Sequence, residues 1–212
     1  IVMRLVGSEM CIRDRRYDPA QIGVSAQFAD CGIHALHLAT FITDQRVQSV
    51  SADTVSLIPS RQLEDDAMVN FRMTNGIVGR LWTSACAIGR QHGLAIQVFG
   101  ETGGLRWTQE QPNQLYYTPV GGRTTVIERG EADLSPEADK SSRVTIGHAE
   151  GMPLAFANIY AELHSVITED LENGQSAGTS LLPLAIDGAE SIKAIYAVAK
   201  SGQANGEWVE IN

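Results

Sequence analysis

The stretch AMVNFRMTNGIVGRLWTSACA, residues 67–87, decides the fold. Apolar and polar side chains alternate on both sides of Asn75-Gly76, which is the pattern of two half-buried strands. Asn-Gly between alternating runs is the strongest short-range signal for a hairpin, because both residues tolerate a positive φ. The stretch therefore predicts an antiparallel β-hairpin that turns at Asn75-Gly76.

Further strand patterns lie on both sides of this hairpin. The other predicted strands are 47–59, a second hairpin at 93–109, and the runs 113–120 and 123–129. Turn signals recur about every ten residues along this part of the chain, as they do in an antiparallel meander. The central half of the chain is therefore predicted to be a β-sheet.

Helical patterns precede and follow the strands. Asp30 is predicted to cap a helix that begins at Gly32 and ends near Asp44. A longer helix is predicted at 154–173, where apolar side chains recur at helical spacing. That stripe consists of Phe156, Ile159, Tyr160, Leu163, Val166 and Ile167. The remaining predictions are an exposed loop at 131–143, a last helix at 187–202 and a short strand at 208–211.

This order of elements predicts an α+β fold. We expect one large, mostly antiparallel (mixed) β-sheet with the helices packed on one face. Such an arrangement leaves the other face of the sheet open. An open face is usually covered by a partner, so we expect a homodimer or tetramer that associates through it.

Composition excludes several classes of function. The 212 residues carry a formal net charge of −9, which argues against nucleic acid as a partner, because phosphate binding needs clustered Lys and Arg. No apolar run reaches the roughly 18 residues of a membrane-spanning helix, so no membrane partner is expected. The cysteines Cys11, Cys31 and Cys86 have no paired spacing, which indicates a reducing, cytoplasmic location.

The first fifteen residues differ in character from the rest. Within Ile1–Arg15, the run VGSEMCIRDR looks like translated sequencing-adaptor sequence. The segment has no apolar region long enough for a signal peptide. It is predicted to be a non-native or disordered leader, with a short native strand as the alternative, and residues 16–212 are expected to form one domain.

Asp30 and His34 form the strongest candidate for chemistry. Residues four apart share a helix face, and a carboxylate beside an imidazole can orient it and raise its pKa. Such a pair can accept or donate a proton near neutral pH, which alcohol oxidation by hydride transfer requires. The alternative is structural, with Asp30 serving only as a helix cap and His34 bonded to a carbonyl group.

Two further histidines are weaker candidates. His37 lies one turn after His34, and the three side chains raise the question of a metal site. The spacing H-x2-H on a helix is less usual for metal binding, so no metal is expected. His148 lies in GHAEG, a glycine-flanked loop before the long helix, where a helix N-terminus can favour a ligand hydroxyl or anion. The alternative is a helix-entry loop with Glu150 near the positive end of the helix dipole.

The chain contains no phosphate-binding motif. There is no G-x-G-x-x-G after a strand, no P-loop and no G-x-S-x-G. The run GETGG at 100–104 has the wrong spacing and falls in the second predicted hairpin. No nucleotide cofactor is therefore expected to be bound by this chain alone.

Five blocks of the sequence, in order, resemble the C-terminal domain of the Gfo/Idh/MocA oxidoreductases, and together they cover about residues 16–212. The first block carries the D-x-G-x-H signature of that family, matched by Asp30, Gly32 and His34. The others are LEDDAMVNFRMTNGIVGRLWTS, GLAIQVFGETGGLRW, GHAEGMPLAFANIYAEL and DGAESIKAIYAVAKSGQANGEWV. The chain departs from the family pattern at Cys31, at His37, where many members have Asp, and at Ala149, where Pro is common.

The resemblance implies roles for these residues. In the family, an N-terminal Rossmann domain binds NAD or NADP and contributes a Lys from an E-K-P motif, and neither feature is present in this chain. His34 is implied as the proton donor or acceptor at the substrate hydroxyl, and Asp30 as its orienting group or a substrate ligand. His148 and His37 are implied as substrate-binding residues.

Two main interpretations follow. The first is the substrate-side part of an NAD(P)-dependent sugar or polyol dehydrogenase, acting on an inositol-like secondary alcohol. The second is a non-catalytic sheet domain that dimerises or binds a ligand, which the absent nucleotide motif favours. A His/Asp metal hydrolase is a distant third.

Overall fold

The computed structural model of the protein describes residues 17–174 and 181–211. The chain divides into two compact units. The first unit contains the described residues up to Gln91 and those from Ala185 onward, and the second is His92–Leu184. Each unit has its own four-stranded antiparallel sheet.

The sheet of the first unit is built around the hairpin that the sequence predicts. Its strands are β1 Val47–Val55, β2 Asp66–Met73, β3 Val78–Ser84 and β8 Val209–Glu210, in the order β3-β2-β1-β8. The turn between β2 and β3 includes Asn75 and Gly76, whose φ angles are 63° and 79°, so the predicted hairpin is confirmed. Strand β1 ends before the predicted limit, because the backbone after Val55 turns to bond Asp65.

Among the described residues, the α-helices of the first unit are α1 Pro19–Ile22, α2 Ile33–Thr43 and α5 Ala185–Gln203. A π-helical turn, Phe28–Gly32, continues directly into α2. Alternate residues of β2 face the helices and are buried: Ala67, Val69, Phe71 and Met73. Phe28, Val50 and Val198 complete the centre of this core, each at most 1% exposed.

The beginning of the helix differs from the prediction. The sequence predicted Asp30 as its cap, but the helical run begins at Gln27 and Asp30 lies inside the π-helical turn. The physical reason is that hydrogen-bond acceptors from elsewhere in the chain satisfy the first turn, as described below. The predicted end is confirmed, since Asp44 terminates α2 in the left-handed region with a φ of 51°.

A buried ion pair fixes the connection between β1 and β2. Arg61 Nη1 lies 3.0 Å from Asp65 Oδ2, and the two side chains are 2% and 0% exposed. The Asp65 carboxylate also accepts hydrogen bonds from the backbone N–H groups of Leu57 and Ile58. Removing one partner of such a pair leaves an uncompensated buried charge, which destabilises the fold. The pair therefore stabilises one conformation of this loop.

The described part of the second unit contains a meander and two helices. Its strands are β4 Ala95–Phe99, β5 Gly103–Thr108, β6 Gln114–Pro119 and β7 Thr125–Glu128, paired in sequence order. The helices are α3 Pro136–Ser141 and α4 Met152–Asn173. The prediction of a loop at 131–143 missed α3, whose first turn is capped when Ser135 Oγ accepts a hydrogen bond from Ala138 N–H. The predicted apolar stripe lies on α4, but Phe156, Tyr160 and Leu163 are exposed.

The predicted α+β class is confirmed, and every strand pair among the described residues is antiparallel. The strands form two four-stranded sheets rather than one large sheet. The division falls between β3 and β4, where Gly89 and Gly93 have positive φ angles and the chain turns instead of pairing. Across residues 17–174 and 181–211, no helix has the length and apolar character needed to cross a membrane.

We predict that Phe28→Ala destabilises the first unit by about 3–5 kcal/mol, because a fully buried ring is replaced by a cavity. Phe41→Ala is the matched control. Phe41 lies on the same helical run and is 54% exposed, so its substitution should change the free energy of unfolding by no more than about 0.5 kcal/mol. Urea denaturation of both variants measures the difference, and equal effects would contradict this description of the core.

Candidate active site

The helix that carries the D-x-G-x-H residues is anchored at its first turn. Glu64 Oε1 accepts hydrogen bonds from Ser25 Oγ at 2.7 Å, from Ala26 N–H at 2.9 Å and from Phe28 N–H at 3.1 Å. The first N–H groups of a helix have no partner within the helix, so a carboxylate at this position satisfies them. Sequence analysis missed Glu64, because the residue is 36–39 positions away from its partners and no local pattern links them.

The glycine of the D-x-G-x-H signature has a packing role. Ile33 N–H bonds to Phe28 C=O, five residues back, which makes the turn π-helical. A Cβ atom on Gly32 would lie 2.5 Å from the Phe28 ring and 3.1 Å from the Thr83 methyl group. Gly32 therefore allows the ring of Phe28 to pack beneath the turn. π-helical turns are rare and are frequently found at functional sites.

Asp30 and His34 lie on the exposed side of this anchored helical run. Both side chains are exposed, and they are separated by about one helical turn. Cys31 Sγ lies 3.9 Å from Asp30 Oδ2 as a long hydrogen-bond donor. A carboxylate and an imidazole presented in this way to solvent can meet a hydroxyl group of a ligand and move its proton.

His37 has a different environment. It is half-buried and lines a cavity of about 60 Å³ between α2 and α5. Asp187, Glu190 and Ser191 of α5 also line this cavity, whereas Asp30 and His34 do not. His37 can therefore offer a hydrogen bond inside a small recess of the first unit that has both apolar and polar lining residues.

The described residues contain no cluster of metal-ligating side chains. Within 17–174 and 181–211, no group of three or more His, Cys, Asp and Glu side chains lies close enough together to hold a metal ion. His37 lies beside Asp187 and Glu190 in the recess, but this set does not form a ligand cluster.

His148 lies in the second unit, on a loop organised by Arg129. The Arg129 guanidinium donates to the carbonyl groups of Val144 at 2.8 Å and His148 at 2.9 Å, and to Asn113 Oδ1 at 3.2 Å. It also pairs with Glu150 at 3.3 Å. Sequence analysis missed Arg129 because it precedes the loop by many residues and no motif marks it.

Glu150 closes the same loop. Its Oε1 atom accepts hydrogen bonds from the N–H groups of Val144 and Arg143, and its side chain is 10% exposed. The carboxylate is therefore occupied by backbone groups and by Arg129. His148 is exposed, and its Nδ1 lies 3.2 Å from Thr145 C=O, so Nε2 remains for a ligand.

Known proteins of one family are similar to this chain. Residues 8–106 match the family described as the GFO/IDH/MocA C-terminal domain. The chain belongs to the Gfo/Idh/MocA family. The Gfo/Idh/MocA resemblance of the sequence is thereby confirmed, with Asp30, Gly32 and His34 inside the matched range.

Three relatives illustrate the similarity. The "Uncharacterized oxidoreductase YfiI" of Bacillus subtilis (strain 168) is 30% identical over 198 residues, covering 92% of this chain and 50% of the relative. An oxidoreductase structure from Sinorhizobium meliloti is 34% identical, with a TM-score of 0.78 over 86% of this chain and 52% of that one. An inositol dehydrogenase homolog from Azotobacter vinelandii, complexed with NADH and myo-inositol, is 28% identical, with a TM-score of 0.80 over 92% and 51%. The chain spans about half the length of these relatives.

Gly32→Ala should destabilise the Gfo/Idh/MocA chain by about 1–3 kcal/mol, because the new methyl group overlaps the Phe28 ring. Gly188→Ala in α5 is the matched control. A Cβ at Gly188 meets no atom within 4 Å, so that substitution should be neutral or stabilise the chain by up to about 1 kcal/mol. Urea denaturation distinguishes the two, and a neutral Gly32→Ala would show that the turn does not need its glycine.

Proposed function

We propose that the chain is the substrate-side domain of an NAD(P)-dependent dehydrogenase that oxidises a secondary alcohol of a sugar or an inositol-like polyol. The observation that carries the proposal is the Asp30–His34 pair, exposed on a helix whose first turn is held by Glu64. The relationship to an inositol dehydrogenase homolog, whose complex contains NADH and myo-inositol, supports the substrate class.

In this mechanism His34 is the proton acceptor when the alcohol is oxidised and the proton donor in the reverse direction. A neutral imidazole can take the hydroxyl proton as the C–H hydride leaves. Asp30 orients the imidazole and stabilises its protonated form, or it binds a neighbouring substrate hydroxyl. Both roles require the two side chains to keep a fixed relative position.

The glycine-rich run at 100–104 does not form a phosphate loop. This run covers the β4–β5 turn and the first two residues of β5, and it is not followed by a helix. We therefore assign NAD or NADP to the Rossmann domain that the family possesses. The contribution of this chain is to hold the substrate and to move its proton.

Two more histidines are proposed as substrate-binding residues, each on the geometry of its own unit. His37 lines the recess beside Asp187 and Glu190, where an imidazole and two carboxylates can bind hydroxyl groups. His148 presents Nε2 to solvent while Nδ1 faces Thr145 C=O, so it can bond a ligand hydroxyl or anion. The cysteines have no paired spacing in the sequence, which supports a reducing, cytoplasmic setting.

The alternative is a non-catalytic domain that dimerises or binds a ligand. The outer face of the first sheet favours dimerisation as an additional or alternative role. Met68 and Trp82 lie directly opposite each other on β2 and β3 and are 50% and 56% exposed, and Val78 is 74% exposed. Exposed apolar side chains that adjoin in this way are typical of a protein interface. We propose a homodimer or tetramer that associates through this face.

His34→Ala in the full-length enzyme is predicted to lower kcat by about 10²–10⁴-fold, because general acid–base help to the transition state is lost. The variant should fold normally, since the His34 side chain is exposed. His164→Ala, which removes an exposed imidazole from α4, is the control and should keep wild-type turnover. Steady-state kinetics with NAD(P) and a polyol panel test the prediction, and undiminished turnover of His34→Ala would remove His34 from the mechanism.

Met68→Glu is predicted to dissociate the dimer, because it places a charge in the middle of the exposed apolar patch. Val120→Glu changes an apolar turn residue of the second unit, 73% exposed, and should leave the molecular mass unchanged. Analytical ultracentrifugation gives the mass of each variant. A wild-type chain that sediments as a monomer at tens of micromolar would refute the interface.

A further inference from the structure

We propose that Glu64 is a positioning residue for the Asp30–His34 pair, a role that rests on the proposed dehydrogenase function. Glu64 lies in the loop just before β2 and is not part of the D-x-G-x-H signature. It acts through the first turn of the helical run and sets the place of the two side chains that meet the substrate.

The side-chain carboxylate and the backbone carbonyl of Glu64 both accept hydrogen bonds from the first turn of the helix. The Oε1 atom accepts from Ser25 Oγ and from the N–H groups of Ala26 and Phe28, and the Glu64 backbone carbonyl accepts from Gln27 N–H at 3.3 Å. The partners are themselves buried, at 2%, 2%, 7% and 0% exposure for Ser25, Ala26, Gln27 and Phe28. Four consecutive residues are thus fixed to a single loop residue.

Glu64 cannot easily follow a movement of the helix, because its neighbour Asp65 is immobilised. Asp65 is fully buried and paired with Arg61. Its N–H donates to Val55 C=O at 3.1 Å, and its C=O accepts from Ala85 N–H at 2.8 Å. The loop therefore fixes the first helical turn relative to the sheet.

The anchored turn continues without interruption into the candidate active site. The helical run from Gln27 passes through the π-helical turn into α2, so Asp30 and His34 follow within two turns of the anchor. Gln27 Nε2 adds a buried hydrogen bond to Thr83 Oγ1 at 2.9 Å on β3. A shift of this turn would move both side chains relative to a substrate held elsewhere. Displacements of about 1 Å can cost two orders of magnitude in rate.

The chemistry of the side chain allows a graded test. Glu64→Gln keeps an amide oxygen that can accept the same hydrogen bonds without the charge. Glu64→Ala removes the acceptor and leaves the N–H groups of Ala26 and Phe28 without their partner. Gln62→Ala, at an exposed position of the same loop, is the control.

The experiment combines kinetics of the full-length enzyme with hydrogen exchange and NMR of the 212-residue chain. In Glu64→Ala we expect kcat to fall about 10–100-fold with little change in KM, and Glu64→Gln to recover most of the loss. Exchange of the Phe28 and Asp30 amides should accelerate about tenfold, whereas amides in α5 keep their protection. The ring resonances of His34 should shift in Glu64→Ala, and those of His164 should not.

Each remaining outcome separates this inference from the proposed function. In one outcome, His34→Ala abolishes turnover, whereas Glu64→Ala has a normal kcat and unchanged NMR resonances of the His34 ring. The positioning role of Glu64 is then overturned, and the dehydrogenase proposal stands. If His34→Ala keeps full turnover, the proposed role of His34 as proton donor or acceptor fails. The NMR resonances of the His34 ring then decide whether Glu64 is a positioning residue. Unchanged His34 resonances in Glu64→Ala would overturn that role. If Glu64→Ala does not fold, Glu64→Gln and Glu64→Asp give the same comparison, with the shorter side chain expected to be the more impaired.

Discussion

The contact between the ring of Phe28 and the bare backbone of Gly32 constrains the rest of the first unit. The ring is fully buried, and it can lie beneath the π-helical turn only because position 32 has no Cβ. This contact attaches the helix to the same core as the inward side chains of β2. Because the turn is held from below, its outer side can carry two exposed polar residues, Asp30 and His34.

Structure and proposed chemistry are divided between different residues of one short segment. Gly32 and Phe28 supply packing, while Glu64 supplies the acceptor that the start of the helix lacks. Asp30 and His34 remain exposed for a ligand. Structural and ligand-binding roles are divided in the second unit as well. Arg129 and Glu150 form hydrogen bonds with backbone groups of the loop, whereas Nε2 of His148 remains for a ligand.

Features encoded by neighbouring residues could be predicted from the sequence, and features that depend on distant partners could not. The hairpin at Asn75-Gly76 was predicted because its alternation and its turn residues lie within one short stretch. Asp30 was wrongly assigned as the helix cap, because the true acceptor, Glu64, comes from another loop. Arg129 was missed for the same reason. The candidates His34 and Asp30 came from spacing and family resemblance, and their roles stay proposals.

The central claim is that His34 meets the reacting hydroxyl group. A crystal structure of the full-length enzyme with NAD(P)H and a bound polyol tests it most directly. The account predicts a substrate hydroxyl within about 2.6–3.2 Å of an imidazole nitrogen of His34, with Asp30 beside the same ring or on an adjacent hydroxyl. A polyol bound with its reacting carbon at the nicotinamide, while the His34 ring points to solvent, would contradict it.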